Sequence, residues 1–138
     1  MLSKILVAID GSLSSKKAFE KALFISQKCG SKLDVIHVVP CEFGGDSALT
    51  FELMAALKSK AEQILNECKI QASKAGVVVG LMVHQGDPAQ SIISLANKNG
   101  YDLIVMGTRG RTPFRELLLG SVSLKVIHHA VCPVMVVR

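Results

Sequence analysis

Apolar residues along the chain fall into two patterns: short unbroken runs, and longer stretches that repeat every three to four positions. Five runs are of the first kind: KILVAI (4–9), KLDVIHVV (32–39), VVVGLMVH (77–84), DLIVMG (102–107) and CPVMVVR (132–138). Runs of this length, rich in β-branched residues and apolar on both faces, predict buried parallel strands. The stretches between them carry helix start and stop signals. DGSLSS (10–15) offers a turn and two N-cap candidates, Ser12 and Ser14. The helix that follows runs to Cys29, with Ala18, Ala22, Ile25 and Cys29 on one face, and Gly30 is its stop. Pro40 closes the second strand. Residues 41–51 hold two glycines and no apolar period, and read as a mobile loop leading into a helix over 52–75, ended by Gly76. Asp87 as N-cap and Pro88 at the first helical position open a third helix, which Gly100 closes. SVSLKVIHHA (121–130) is the fourth.

The order is β-α-β-α-β-α-β-α-β. Strict alternation predicts an α/β fold, with five parallel strands in one open sheet and four helices on both faces. Ligands of such sheets bind beyond the carboxyl ends of the strands, where the strand order reverses. Those ends are Asp10 after the first strand, Val38 and Val39 in the second, and Met106–Gly107 in the fourth.

Composition narrows the picture. The chain has 138 residues, 49% of them apolar and 20% charged, which fits a single domain over 1–138 with a substantial core. The net charge of +5 favours anionic partners. The basic residues are dispersed, however, Trp is absent and Tyr101 is the lone tyrosine, so stacking on nucleic acid is disfavoured. Cys29, Cys41, Cys68 and Cys132 form no CxxC and no zinc-finger spacing, and read as buried or half-buried thiols of a reducing compartment. No apolar run is long enough for a membrane span. A cytoplasmic location, with no membrane and no nucleic-acid partner, is the expectation.

The chemistry concentrates in GTRGRTPFRELLLGS, the fifteen residues 107–121 between the fourth strand and the fourth helix. Connections of two to six residues usually suffice there. Gly107 and Gly110 permit unusual backbone angles and close approach. Gly120-Ser121 stands at a helix start, where free N–H groups and the helix dipole favour an anion. Arg109 adds a charge suited to phosphate. The stretch is neither a P-loop nor a GxGxxG fingerprint. His128 and His129 are adjacent and diverge on a helix, one expected partly buried and one exposed, so they cannot share a metal. His37 and His84 read as packed strand residues. No serine has a GxSxG setting, and Glu116 is a weak candidate for influencing a metal-bound water. No catalytic residue and no protein metal ligand is assigned.

Gly107, Gly110, Gly120 and Ser121 satisfy G-x2-G-x9-G-[ST], which resembles the ATP-binding signature of the universal stress protein family. ILVAIDGSLSS, HVVP, GDPAQSI, DLIVMGTRGR and CPVMVV resemble its other blocks, in order along the whole chain. The resemblance implies a Rossmann-like domain of the adenine nucleotide alpha-hydrolase-like kind. It implies a regulatory module that binds ATP, with Mg²⁺ carried mainly by phosphates and water. Ala8 and Ile9 would then line the base, Asp10 contact the ribose or adenine, and Val38 form an apolar wall. Met106 and Gly107 would lie beneath ribose and phosphates, and Arg109, Gly110, Gly120, Ser121 and Val122 would surround the triphosphate. It also implies a homodimer through the C-terminal strand, with a further protein partner open. A slow ATP hydrolase, or an interaction module that needs no nucleotide, are the alternatives.

Overall fold

The computed structural model describes residues 2–40, 47–108 and 119–138, with the backbone alone for 47–50. In chain order the elements are β1 (Lys4–Ala8), α1 (Leu13–Cys29), β2 (Lys32–Val39), α2 (Ser47–Lys74), β3 (Val79–Gln85), α3 (Pro88–Asn99), β4 (Leu103–Gly107), α4 (Ser121–His129) and β5 (Val134–Val137). The strands form one parallel sheet of order β3-β2-β1-β4-β5.

Side-chain alternation divides the core into two layers. Ile5 and Val7 of β1, Leu33 and Val35 of β2, and Leu103 and Val105 of β4 point to the α1/α2 side, against Phe19, Ala22, Ile64 and Leu65. Leu6, Ile36, Ile104 and Met106 point to the α3/α4 side, against Ala89, Ile92, Ala96 and Val126. The central strands are therefore apolar on both faces, as the sequence runs require.

The helix ends follow local rules. Ser12, not Ser14, caps α1, accepting from Ser15 N at 3.2 Å. Asp87 caps α3, accepting from Gln90 N at 2.8 Å, with Pro88 at the first position. Gly30 and Gly100 close α1 and α3 in the left-handed conformation.

Three sequence expectations change. α2 begins at Ser47 rather than Glu52, because no Gly or Pro interrupts 47–74 and Ala48 and Leu49 favour helix. Of the loop expected over 41–51, residues 41–46 lie outside the described residues. β3 begins at Val79, because Val77 N turns back to Ala72 O at 2.9 Å to finish α2. On α1 the buried face comprises Ser15, Ala18, Phe19, Ala22, Leu23 and Ser26, whereas Cys29, expected to be at least half-buried, is exposed beside the closing glycine. Cys68 is buried, and desolvation followed by the charge of Glu67 pushes its thiol up to about 11 despite the opposing charge of Lys16.

A buried polar pair ties the amino ends of the sheet. Asp34, in β2, accepts a hydrogen bond from the Tyr101 hydroxyl at 2.7 Å, and Lys4 Nζ lies 4.3 Å from the Tyr101 ring centre. Burial and the neighbouring carboxylate both push the Tyr101 phenol above its ordinary range. This cluster sits at the opposite end of the strands from the candidate site.

Candidate functional site

The chain leaves β1 toward β2 on one side, while β4 lies on the other, so the strand order reverses between β1 and β4. That reversal opens a crevice above the carboxyl ends. Ala8 is level with Ile36 and Val7 with Val105, so residues 8–10, 38–39 and 106–107 rise together around its mouth.

At the end of β1, Ile9 N still donates to Ile36 O at 2.9 Å. The chain then turns through Asp10 and Gly11, whose φ of +88° suits glycine. Asp10 Oδ1 accepts from Ser12 N at 2.9 Å, so the turn itself fixes this half-buried carboxylate at the start of α1. His37, on β2, is buried, and its Nδ1 lies 2.7 Å from Ile9 O.

At the end of β4, Thr108 N donates to Val137 O at 2.9 Å, and Gly120 N donates to Thr108 O at 2.7 Å. These bonds close the long connection at its base and set α4 beside the strand end. Gly120 is the N-cap, extended at φ −63° and ψ 159°, and as glycine it brings no side-chain cap to the helix. The first-turn N–H groups thus stand at the mouth with no oxygen of the N-cap residue's own side chain competing for them. Val126, fully buried, anchors the helix below. Ser123 is 3% exposed, and its Oγ donates to Gly107 O at 2.8 Å.

Gly107 is glycine for a reason other than backbone freedom. Its φ is not positive. A Cβ there would stand 2.8 Å from both Ser14 C and Ser15 N, backbone atoms of the first turn of α1. The close approach that the sequence assigned to a ligand is made by a helix.

Ala8, Val38 and Val122 are half-buried and pack against the α3/α4 layer to which buried Met106 belongs, so these four candidates share a layer. Ile9 does not join them, since its side chain packs in the α1/α2 layer. Asp10 stands in the turn above, and Gly120 and exposed Ser121 start α4. Arg109, Gly110 and Glu116 lie outside the described residues. His128 and His129 are both exposed, so neither is the partly buried one expected. Sequence reasoning missed Ser123 and the contact made by His37. Strand parity with Leu33 and Val35 puts His37 on a buried face, and Ser123 falls three residues after a helix N-cap. Those signals were present, but their partners are distant in sequence.

An apolar wall, a fixed carboxylate and a positive helix end are complementary in chemistry to a molecule with a flat apolar part and an anionic part. Among the described residues no group of three His, Cys, Asp or Glu could hold a metal ion, and no helix is long and apolar enough to cross a membrane.

Comparisons with known proteins converge. The model of the universal stress protein family matches residues 1–138. The universal stress protein YxiE of Bacillus subtilis is 35% identical over 148 residues, covering 100% of both chains. Among solved structures, UspA of Lactobacillus plantarum superposes with a TM-score of 0.91 at 27% identity, covering 99% of this chain and 98% of its own. A universal stress protein in complex with cAMP superposes with a TM-score of 0.77 at 25% identity, over 99% and 97%.

Proposed function

This chain belongs to the universal stress protein family, and on that footing we propose that it is a regulatory module of the stress response that holds ATP at the carboxyl ends of β1, β2 and β4. The observation that carries the reading is the start of α4. A glycine N-cap without a capping side chain, fastened to the end of β4 at the reversal of strand order, offers N–H groups to phosphate. The neighbouring structure in complex with cAMP supports the choice of an adenine nucleotide.

In this reading the base lies against Ala8, Val38 and Met106, while Ile9 contributes main chain rather than its side chain. Asp10 accepts a ribose hydroxyl. Gly120, Ser121 and Val122 present the α4 N–H groups to the phosphates, and Gly107 keeps the floor of the crevice thin. Arg109 and Gly110 would complete the phosphate cradle. Mg²⁺ would be held by phosphate oxygens and water, a common arrangement for this ion. The 138 residues would act as one domain and pair through β5 into a homodimer. Val134–Val137 is an edge strand with half-buried side chains, and Val131, Leu124 and Ile127 are exposed beside it.

The test is the nucleotide content of protein purified without added ligand, released by denaturation and identified by chromatography and mass. ATP approaching one per chain is the expected result. Empty protein that gives no heat with Mg-ATP in calorimetry would overturn the reading.

A further inference from the structure

We propose that Ser123 and His37 are positioning residues of this crevice: each caps a main-chain carbonyl left over where two strands part, and together they hold the mouth in its binding shape. The proposal rests on the adenine-nucleotide reading for its consequence, but not for its geometry.

Both carbonyls belong to strand ends that outrun their ladders. Pairing of β1 with β4 ends at Val7 and Val105. Thr108 N donates toward β5, to Val137 O. By strand alternation the carbonyl of the preceding residue, Gly107, points to the β1 side, beyond the last pair. The Ser123 hydroxyl meets it there at 2.8 Å, in a buried contact. Pairing of β1 with β2 likewise ends at Ala8 and Ile36. Ile9 N donates to Ile36 O, so the Ile9 carbonyl also faces β2, and buried His37 Nδ1 lies 2.7 Å from it. A carbonyl only accepts, so Nδ1 carries the hydrogen, which fixes the imidazole tautomer.

A buried carbonyl without a donor is costly, and the chain would shift to find one. Two such shifts are available, and both reshape the mouth. Without the Ser123 bond, the first turn of α4 is fastened to β4 by the Gly120–Thr108 bond, and the helix end can swing from the crevice. Without the His37 bond, the Ile9 carbonyl is released immediately before Asp10 while Ile9 N stays on Ile36 O, so the turn that carries the Asp10 carboxylate can tilt as a unit. The caps also bind two partial negative charges that would otherwise face an anionic ligand from the floor of the site. Neither side chain needs to touch the ligand.

The experiment uses the whole chain in four variants: Ser123→Ala, Ser123→Thr, His37→Leu and His37→Asn. Threonine keeps the hydroxyl, and the Asn amide nitrogen reaches about where imidazole Nδ1 stands. Two readouts are taken, Mg-ATP affinity by calorimetry and amide hydrogen exchange without nucleotide, on variants whose circular dichroism matches the parent. Ser123→Ala should weaken Mg-ATP about three- to tenfold and speed exchange in 120–124. His37→Leu should do the same for affinity and speed exchange in 9–12. Ser123→Thr and His37→Asn should restore both readouts to within about twofold. Exchange unchanged in Ser123→Ala and His37→Leu would overturn the caps as positioning devices, as would rescue variants no better than the deletions. If the parent chain itself ignores Mg-ATP, the nucleotide reading fails by that result alone, and exchange still decides whether the caps hold the mouth.

Discussion

Gly107 shows how one residue can serve a motif for an unexpected reason. In the sequence it is the first glycine of the phosphate-binding pattern, and closeness to a ligand explains it. In the fold its Cα faces the first turn of α1, and its carbonyl takes the Ser123 hydroxyl. A methyl group at 107 has to displace helix backbone as well as the Ser14 hydroxyl, because Ser14 C and Ser15 N both lie 2.8 Å from its position. Gly107→Ala is therefore expected to destabilise the fold by about 1–3 kcal/mol, read as a lower urea midpoint without nucleotide. An unchanged midpoint with lost nucleotide affinity would return the residue to the ligand. Asp10 carries the same lesson in milder form: its carboxylate organises the turn into α1 as well as standing at the mouth.

At the scale of elements, α4 connects stability to function. A helix start normally gains from a capping side chain, and α3 has Asp87 in that place, yet α4 starts at a bare glycine. The backbone of Gly120, at φ −63° and ψ 159°, lies in a region open to any residue, so backbone angle does not demand the glycine. An uncapped helix start is what an anion site needs, because a side-chain carboxylate would occupy the same N–H groups. Gly120→Asp should raise stability by roughly a few tenths of a kcal/mol, read as a slightly higher thermal midpoint, and weaken Mg-ATP binding tenfold or more, about 1.4 kcal/mol. Equal affinity in calorimetry would show that phosphate does not use the start of α4. The helices also explain where pattern reading slipped. Amphipathic periodicity placed Cys29 on the buried face of α1, but the last turn runs past the end of the core and into its glycine cap.

For the whole molecule, the arrangement of strands decides both the site and the proposed assembly. β5 is the outer neighbour of β4, and the carbonyls of Pro133 and Val137 accept from Ile104 N and Thr108 N. By alternation the N–H of Val136 points to the open edge. Val136→Pro removes that donor while sparing the hydrogen bonds to β4. If a second copy pairs along this edge, the variant should sediment as a monomer where the parent sediments as a dimer. A parent and variant of equal mass would place any self-association elsewhere.

The sequence by itself determined the number, order and type of the elements, the parallel sheet and the family signature. Those properties reside in neighbouring residues: apolar runs, a cap at Ser12 or Ser14 and another at Asp87, stops at Gly30 and Gly100. It also ranked the carboxyl ends of β1, β2 and β4 above every other place for a ligand, since alternating α/β topology leaves its crevice there. The sequence could not show which candidates share a layer, because that depends on strand parity and on the place each strand takes in the sheet. Only the tertiary structure gathered Ala8, Val38, Met106 and Val122 on one side and sent Ile9 to the other. Only it gave the Gly107 and Ile9 carbonyls their caps, from residues 16 and 28 positions away along the chain. Local chemistry is written in adjacent residues, whereas a hydrogen bond between distant segments exists only once the sheet has fixed their register.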